Sequence, residues 1–256
     1  MIESLGLASF DRFTSLAAVH GDGWGMAWRD PDEAATHVTT SPASAAQDPS
    51  YTDLASRSLG AAGLVHLRWA TDGLPVAVEN THPFTDGDFA LAHNGNIAPI
   101  ERLETLLSEH ARAQLVGDTD SERYFRFILQ RIAESGDESL GVARAVGVLH
   151  EQFPESSLNA LLLTPSSLFA VHVNSRAPSP MKDLRELFES DEAMPVGHAS
   201  AYFDMAYRVN PEAVHVISSG LTDAGWSSVA PDKILMVDLA TREVTSLDPL
   251  VSIRAE

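Results

Sequence analysis

Residues 89–97 of the 256-residue chain read FALAHNGNI, an apolar run of strand type that ends in a polar tripeptide. Asn94-Gly95 is a common two-residue turn between paired strands, because both residues tolerate a positive φ angle. The same residues offer a side-chain amide and a backbone N–H, and two such donors can stabilise an oxyanion. A hairpin turn and an oxyanion hole are therefore both open interpretations of this stretch.

Strand and helix patterns around this stretch occur in blocks instead of alternating one by one. Patterns typical of strands occupy residues 21–28, 63–70, 89–92, 158–164, 168–173, 214–218, 233–238 and 243–246. Patterns typical of helices occupy residues 5–19, 51–59, 99–115, 121–134 and 137–152. Residues 30–50 and 72–88 are interpreted as irregular. Blocks of this kind favour antiparallel sheets flanked by helices, and residues 1–256 show no linker or repeat, so we expect one α+β domain.

Composition and charge exclude several classes of function. The formal net charge of -19 repels phosphate backbones and anionic membranes, so neither nucleic acid nor a membrane is an expected partner. The chain has no cysteine, which excludes disulfides, thiolate metal sites and thiol nucleophiles within these 256 residues. No signal-peptide pattern and no apolar run of membrane-spanning length is present, so a cytoplasmic location is expected.

Arg68 lies within an apolar strand pattern, in HLRWAT at residues 66–71. A buried guanidinium requires a counter-charge, and its fork fits a carboxylate. One interpretation is an internal salt bridge to an acidic side chain. The other is a ligand site, in which Arg68 and the Thr71 hydroxyl bind a substrate carboxylate.

Two further motifs combine polar and charged residues. Thr119 and Glu122 fit a capping box at the start of a helix, yet three acids in residues 118–122 exceed what one cap requires. One of these acids can receive a substrate ammonium group. In ENTHPF, residues 79–84, His82 is interpreted either as a structural hydrogen-bond donor or as a catalytic base.

Taken together and in order, these motifs resemble those of the class II glutamine amidotransferases, within the N-terminal nucleophile hydrolase superfamily. The matching segments are HGDGWGMAW, HLRWATDG, ENTHPF, LAHNGNI and GDTDSERYF, between residues 20 and 125. The strand patterns that follow are similar to those of a stand-alone actinobacterial-type subgroup. The resemblance implies a four-layer αββα sandwich of two antiparallel sheets, here without its first strand and so incomplete at the N-terminus.

The resemblance also implies a role for each candidate residue. Arg68 and Thr71 hold the α-carboxylate of glutamine, and Asp120 holds its α-ammonium group. Asn94 and Gly95 form the oxyanion hole. No cofactor and no metal is implied, and the ammonia produced either leaves free or passes to a partner enzyme. Self-association into a homo-oligomer is also open.

The family reaction requires an N-terminal cysteine, whose thiolate attacks the side-chain amide to form a thioester. Since these 256 residues contain none, they are expected to be inactive. The favoured explanation is an upstream segment that carries the cysteine. The alternatives are a non-catalytic relative that binds glutamine or another amino acid, and a different nucleophile such as Ser4 or Ser9.

A metal-dependent amidohydrolase is the alternative from another class of enzyme. Ten histidines and many acids provide ligand types, and several lie near the glycine-rich strand. The compact spacing of a metal motif such as HExxH is missing, which disfavours this interpretation.

Overall fold

The computed structural model describes residues 2–30, 33, 35–57, 60–70, 75–174, 176–195, 198–218, 221 and 225–250. Its α-helices are Ile2–Leu5 (α1), Leu7–Ser15 (α2), Pro49–Ser56 (α3), Ile100–Glu104 (α4), Glu109–Ala113 (α5), Asp120–Ser135 (α6), Glu138–Gln152 (α7) and Met181–Leu187 (α8). Short 3-10 helices occur at Leu16–Ala18, Val78–Asn80 and Asp191–Ala193. No helix in these ranges is both long and apolar enough to cross a lipid bilayer.

The strands form antiparallel sheets. They are Trp24–Arg29 (β1), Thr36–Ser41 (β2), Ala62–Leu67 (β3), Phe84–Asp86 (β4), Phe89–His93 (β5), Ala160–Leu163 (β6), Ser167–His172 (β7), Ala206–Val209 (β8), Val214–Ile217 (β9), Ser227–Ser228 (β10), Lys233–Asp238 (β11) and Val244–Leu247 (β12). One sheet has the order β2-β1-β3, and the largest has the order β12-β11-β7-β6-β5-β4. A small third sheet has the order β10-β8-β9.

Four layers follow from where the apolar side chains pack. Small and branched side chains fill the space between β2-β1-β3 and the six-stranded sheet: Ala27, Leu64, Ala90, Ala92 and Leu163. On the outer face of the β2-β1-β3 sheet, α2 and α3 pack through Phe10 and Tyr51, whose stacked rings have centroids 5.6 Å apart. On the outer face of the larger sheet, α6 and α7 bury an extensive apolar cluster. The predicted αββα sandwich is confirmed.

Helix α6 shows how polar sequence signals fix one end of an element near the sheets. The Thr119 hydroxyl accepts a hydrogen bond from the N–H of Glu122 at 3.1 Å, as a helix N-cap does. The Glu122 carboxylate accepts from the N–H groups of Val116 and Gly117 at 2.9 and 2.8 Å. Half of the predicted capping box therefore forms. The Glu122 carboxylate binds the backbone of the preceding loop instead of the N–H of Thr119.

Two sequence expectations about elements are wrong. The single helix expected over residues 99–115 is two short helices, because Ser108 caps the second of them by accepting from the Ala111 N–H at 3.1 Å. The segments interpreted as irregular contain β2 and β4, each of which is an edge strand of its sheet. Edge strands bury less of their surface, so their apolar pattern is weak.

Candidate active site

A cavity of about 840 Å³ lies alongside β3 and beyond the end of β5. Arg68, Asn94, Gly95 and Asp120 all line it, so four of the five residues predicted from sequence meet around one space. Thr71 lies outside the described residues. The roles of these residues in binding remain predictions, whereas their convergence is a property of the fold.

Arg68 follows directly after β3 and is 3% exposed. Its guanidinium donates to the carbonyl oxygens of Asp22 and Pro75 at 3.3 and 3.4 Å. Within the described residues it forms no ion pair, so the internal salt bridge weighed from sequence is not found there. Burial lowers the pKa of Arg68 and the nearby Asp22 carboxylate opposes that shift. An arginine remains charged in proteins, so this site carries a buried cation beside the cavity.

The Asn94-Gly95 pair is not a hairpin turn, and that interpretation is wrong. Neither residue has a positive φ angle, and the chain continues from Gly95 into a loop and α4, not into a paired strand. Gly95 is required for a different reason. A Cβ atom at this position would lie 2.2 Å from the carbonyl oxygen of Ser157 and 2.8 Å from Nε2 of His93. The backbone at Gly95 is therefore held against a neighbouring segment.

Ser157 and Asn159, just before the neighbouring strand β6, hold this loop in place. The N–H of Asn94 donates to the carbonyl of Asn159 at 2.7 Å, and the Ser157 hydroxyl donates to the carbonyl of Asn94 at 2.9 Å. Asn159 is fully buried and also donates from Nδ2 to the carbonyl of Phe203 at 2.6 Å. These contacts fix the backbone of Asn94, which is among the residues that line the cavity.

His93 links the same loop to α6. Its Nε2 lies 2.8 Å from the carbonyl oxygen of Ser157, and its Nδ1 lies 2.9 Å from the Ser121 hydroxyl. A carbonyl can only accept, so Nε2 carries the proton. Burial lowers the pKa of His93, although Asp120 and the Ser157 carbonyl oppose this. In the neutral ring, Nδ1 accepts from Ser121, and His93 is thus a fixed structural member of the site.

Asp120 is the first residue of α6 and is 7% exposed. Its Oδ2 accepts a hydrogen bond from the N–H of Ile97 at 2.7 Å and lies 3.9 Å from Nδ1 of His93. Its Oδ1 accepts no hydrogen bond from the described residues. One carboxylate oxygen therefore positions the loop after Gly95, and Asp120 is among the residues that line the cavity.

Three further histidines, His20, His66 and His82, line the cavity. The rings of His66 and His82 lie with their centroids 4.5 Å apart. His20 and His198 share a hydrogen bond of 3.2 Å between their Nε2 atoms. Burial lowers the pKa of both His20 and His66 to about 3, with smaller effects from neighbouring imidazoles and, for His66, Arg68. These rings are neutral near pH 7. Within the described part of the chain, no three histidine or acidic side chains are grouped as a metal site.

Sequence reasoning missed Ser157, Asn159 and the contact between His20 and His198. Each acts on a partner that is distant along the chain, and only the fold brings the partners together. The one signal in the sequence was the polar Asn159 at the start of an apolar strand pattern, since a buried amide requires partners.

Comparisons with known proteins identify the family of this chain. Residues 2–248 match the family described as glutamine amidotransferases class-II. A glutamine--fructose-6-phosphate aminotransferase from Pseudomonas syringae pv. tomato is 32% identical over 124 residues, which are 48% of this chain and 19% of that enzyme. The chain therefore matches only a minor part of the length of this curated relative.

Two solved structures share the fold. A glutamine aminotransferase class-II domain protein from Silicibacter pomeroyi superposes with a TM-score of 0.63 at 19% identity, covering 88% of this chain and 90% of that one. The glutamine phosphoribosylpyrophosphate amidotransferase from B. subtilis gives a TM-score of 0.60 at 15% identity, covering 93% of this chain and 46% of that one. With the family match over nearly all of its length, this chain belongs to the class II glutamine amidotransferases.

Proposed function

We propose that the cavity binds glutamine, or another γ-glutamyl amide, in a fixed orientation. Arg68, with Thr71, binds the α-carboxylate, and Asp120 binds the α-ammonium group through Oδ1. The side-chain amide of Asn94 and the N–H of Gly95 donate to the oxygen of the substrate's side-chain amide. The observation that supports this proposal is the convergence of a buried cation, a buried carboxylate and the Asn94-Gly95 loop on one cavity.

In the reaction expected of such a site, a thiolate attacks the side-chain amide, and the two donors stabilise the negative oxygen that develops. The proton that the thiol lost on ionising is transferred to the amide nitrogen, which leaves as ammonia, and water hydrolyses the thioester and regenerates the thiol. These 256 residues contain no cysteine. We therefore expect them to bind the substrate without releasing ammonia, and we propose that turnover requires a thiol from outside these residues.

The fate of ammonia belongs to the same proposal. The curated relative named above is an aminotransferase that is much longer than the matched segment. We propose that a separate acceptor enzyme, or water, completes the reaction of this chain.

Calorimetric titration of the 256-residue protein with three ligands tests the binding mode. The ligands are L-glutamine, glutaramate, which lacks the α-amino group, and 4-aminobutyramide, which lacks the carboxylate. Arg68→Ala should weaken glutamine roughly 10- to 100-fold, because hydrogen bonds to charged groups contribute about 1.5–3 kcal/mol. It should leave 4-aminobutyramide unchanged. Asp120→Asn keeps an acceptor for the Ile97 N–H and should weaken glutamine but not glutaramate.

Arg112→Ala is the matched control, since Arg112 is exposed on α5. An ammonia assay on the same samples should give no signal above buffer. Absence of glutamine binding, or equal losses for all three ligands in Arg68→Ala, contradicts the binding mode. Ammonia release by the unmodified chain contradicts the requirement for an outside thiol.

A further inference from the structure

The side-chain amide of Asn80, in the ENTHPF motif, is hydrogen-bonded at both ends. The residue is 1% exposed. By contrast, both ring nitrogens of His82 are buried and form no hydrogen bond with the described residues, so the structural donor weighed from sequence is not found among them. A buried amide whose two ends are satisfied holds its partners in fixed positions. Asn80 therefore joins the two segments of chain that contain its partners.

The nitrogen of this amide is connected to Arg68 through one backbone carbonyl. Asn80 donates from Nδ2 to the carbonyl oxygen of Pro75 at 3.3 Å, and Arg68 donates from Nη2 to the same oxygen at 3.4 Å. Arg68 also donates from Nη1 to the carbonyl oxygen of Asp22 at 3.3 Å. The guanidinium is thus hydrogen-bonded to two carbonyl groups, and Asn80 fixes one of them.

The oxygen of the same amide is connected to Asp120. The N–H of Asp118 donates to Oδ1 of Asn80 at 3.0 Å, two residues before Asp120, which begins α6. Arg123 of α6 holds the residue between the two acids, because its Nη1 donates to the carbonyl oxygen of Thr119 at 3.0 Å. Asn80 is therefore bonded to the same short segment that carries Asp120.

Gly117 lets the start of α6 lie close to Asn80. A Cβ atom at position 117 would lie 2.5 Å from Oδ1 of Asn80 and 2.7 Å from the carbonyl oxygen of Glu79. The two segments thus meet where a side chain at position 117 has no room. This contact joins the segment that fixes Arg68 to the segment that fixes Asp120.

An α-amino acid is sensitive to such a connection, because its carboxylate and its ammonium group are attached to the same carbon atom. It can contact Arg68 and Asp120 together only if these two side chains lie at a matching separation. A separation that is already set when the ligand arrives avoids a cost of rearrangement.

We propose that Asn80 is a positioning residue that fixes the separation between Arg68 and Asp120 and thereby makes the cavity select α-amino acids. This inference rests on the proposed function, which assigns the α-carboxylate to Arg68 and the α-ammonium group to Asp120. Asn80 does not line the cavity. It acts on the ligand through Pro75 and Asp118.

Calorimetric titration tests this by comparing L-glutamine with 3-aminoglutaramate, an isomer that keeps the carboxylate, the amide and the chain between them but carries its amino group on the third carbon. The unmodified protein should bind glutamine roughly tenfold more tightly, because only glutamine forms charged hydrogen bonds at both sites. In Asn80→Ala this preference should largely disappear, mainly through weaker binding of glutamine. Gly117→Ala, which displaces Oδ1 of Asn80 from the other side, should have the same effect.

Thr81→Val is the matched control, which separates this role from a general loss of stability. Thr81 adjoins Asn80, is 3% exposed and donates from its hydroxyl to the carbonyl oxygen of Ala77 at 2.7 Å. The variant therefore removes a buried hydrogen bond from the same turn, and its thermal unfolding midpoint should decrease. It leaves the bonds of Asn80 to Pro75 and Asp118 in place, so the preference for glutamine should persist.

Equal binding of glutamine and 3-aminoglutaramate by the unmodified protein overturns the inference without any variant. So does a preference that survives in Asn80→Ala or Gly117→Ala, or one that disappears in Thr81→Val. In each of these cases glutamine still binds the unmodified protein and the proposed function stands. If glutamine fails to bind the unmodified protein, the proposed function fails and this inference fails with it.

Discussion

At the scale of single residues, position 95 has no room for a side chain. The nearest atoms to a Cβ there are the Ser157 carbonyl oxygen and Nε2 of His93, which are hydrogen-bonded to each other. Neither atom is the end of a flexible side chain. An added methyl group must therefore displace the loop that presents the Asn94 amide and the Gly95 N–H.

Gly95→Ala should lower the free energy of unfolding by about 1–3 kcal/mol, the usual cost of overpacking. It should also abolish glutamine binding, since both proposed oxyanion donors move. Urea unfolding and calorimetry measure the two effects. Glu101→Ala, at an exposed residue of α4 that does not line the cavity, should change neither. Unaltered glutamine binding by Gly95→Ala contradicts the placement of the oxyanion donors at this loop.

Single residues of the site were predictable where they belong to short motifs. Arg68 was notable because a guanidinium interrupts an apolar strand, and the fold places it at the cavity with no ion pair in the described part. Ser157 was not predictable, since its bonds to Asn94 and His93 span 63 and 64 positions of sequence. No local pattern encodes contacts at that range.

At the scale of elements, the N-terminus of α6 joins the fold to the site. Thr119 caps the helix, and the adjacent Asp120 bonds to the Ile97 N–H. A change in the cap should therefore be detected both as a loss of stability and as a change in binding.

Thr119→Ala should lower the free energy of unfolding by about 1 kcal/mol, the typical value of an N-cap side chain. It should weaken glutamine binding, because Asp120 is the first residue of the helix that the cap fixes. Thr119→Ser keeps the hydroxyl and should retain most of the stability and most of the affinity for glutamine. Equal stability of the alanine and serine variants in urea contradicts a role for the cap.

Elements were predictable in proportion to their apolar periodicity. Helices α6 and α7 bury one full face each and were predicted within one residue at each end. Strand β2, with the sequence THVTTS, is half-buried at a sheet edge and exposes Val38, so it lacks an apolar pattern. The break between α4 and α5 depends on a capping hydroxyl, which a periodicity argument does not weigh.

At the scale of the whole molecule, histidines that are neutral in the folded protein make stability depend on pH. The pKa of His20 and of His66 is about 3 in the folded protein, against about 6.5 in an unfolded chain. Between these values the unfolded state binds more protons. Stability is therefore complete above about pH 6.5 and falls as pH decreases toward 3.

Urea unfolding between pH 7.5 and 5, above the range in which most carboxylates titrate, measures this effect. The slope of the free energy of unfolding against pH should approach about 1.4 kcal/mol per pH unit for each such histidine. His66→Asn should reduce the slope by about that amount, and the exposed His110→Asn should not. A free energy of unfolding that is constant over this range contradicts the assignment of these rings as neutral in the folded protein.

The loop that follows β5 is held at both ends by other parts of the fold. Asn159 accepts from the N–H of Asn94, and Asp120 accepts from the N–H of Ile97. Ordering a backbone residue costs about 1–2 kcal/mol in conformational entropy. Here that cost arises when the chain folds and not when a ligand arrives. Association at Asn94 and Gly95 should therefore lose little backbone entropy, and differences in affinity among ligands should reflect the contacts themselves.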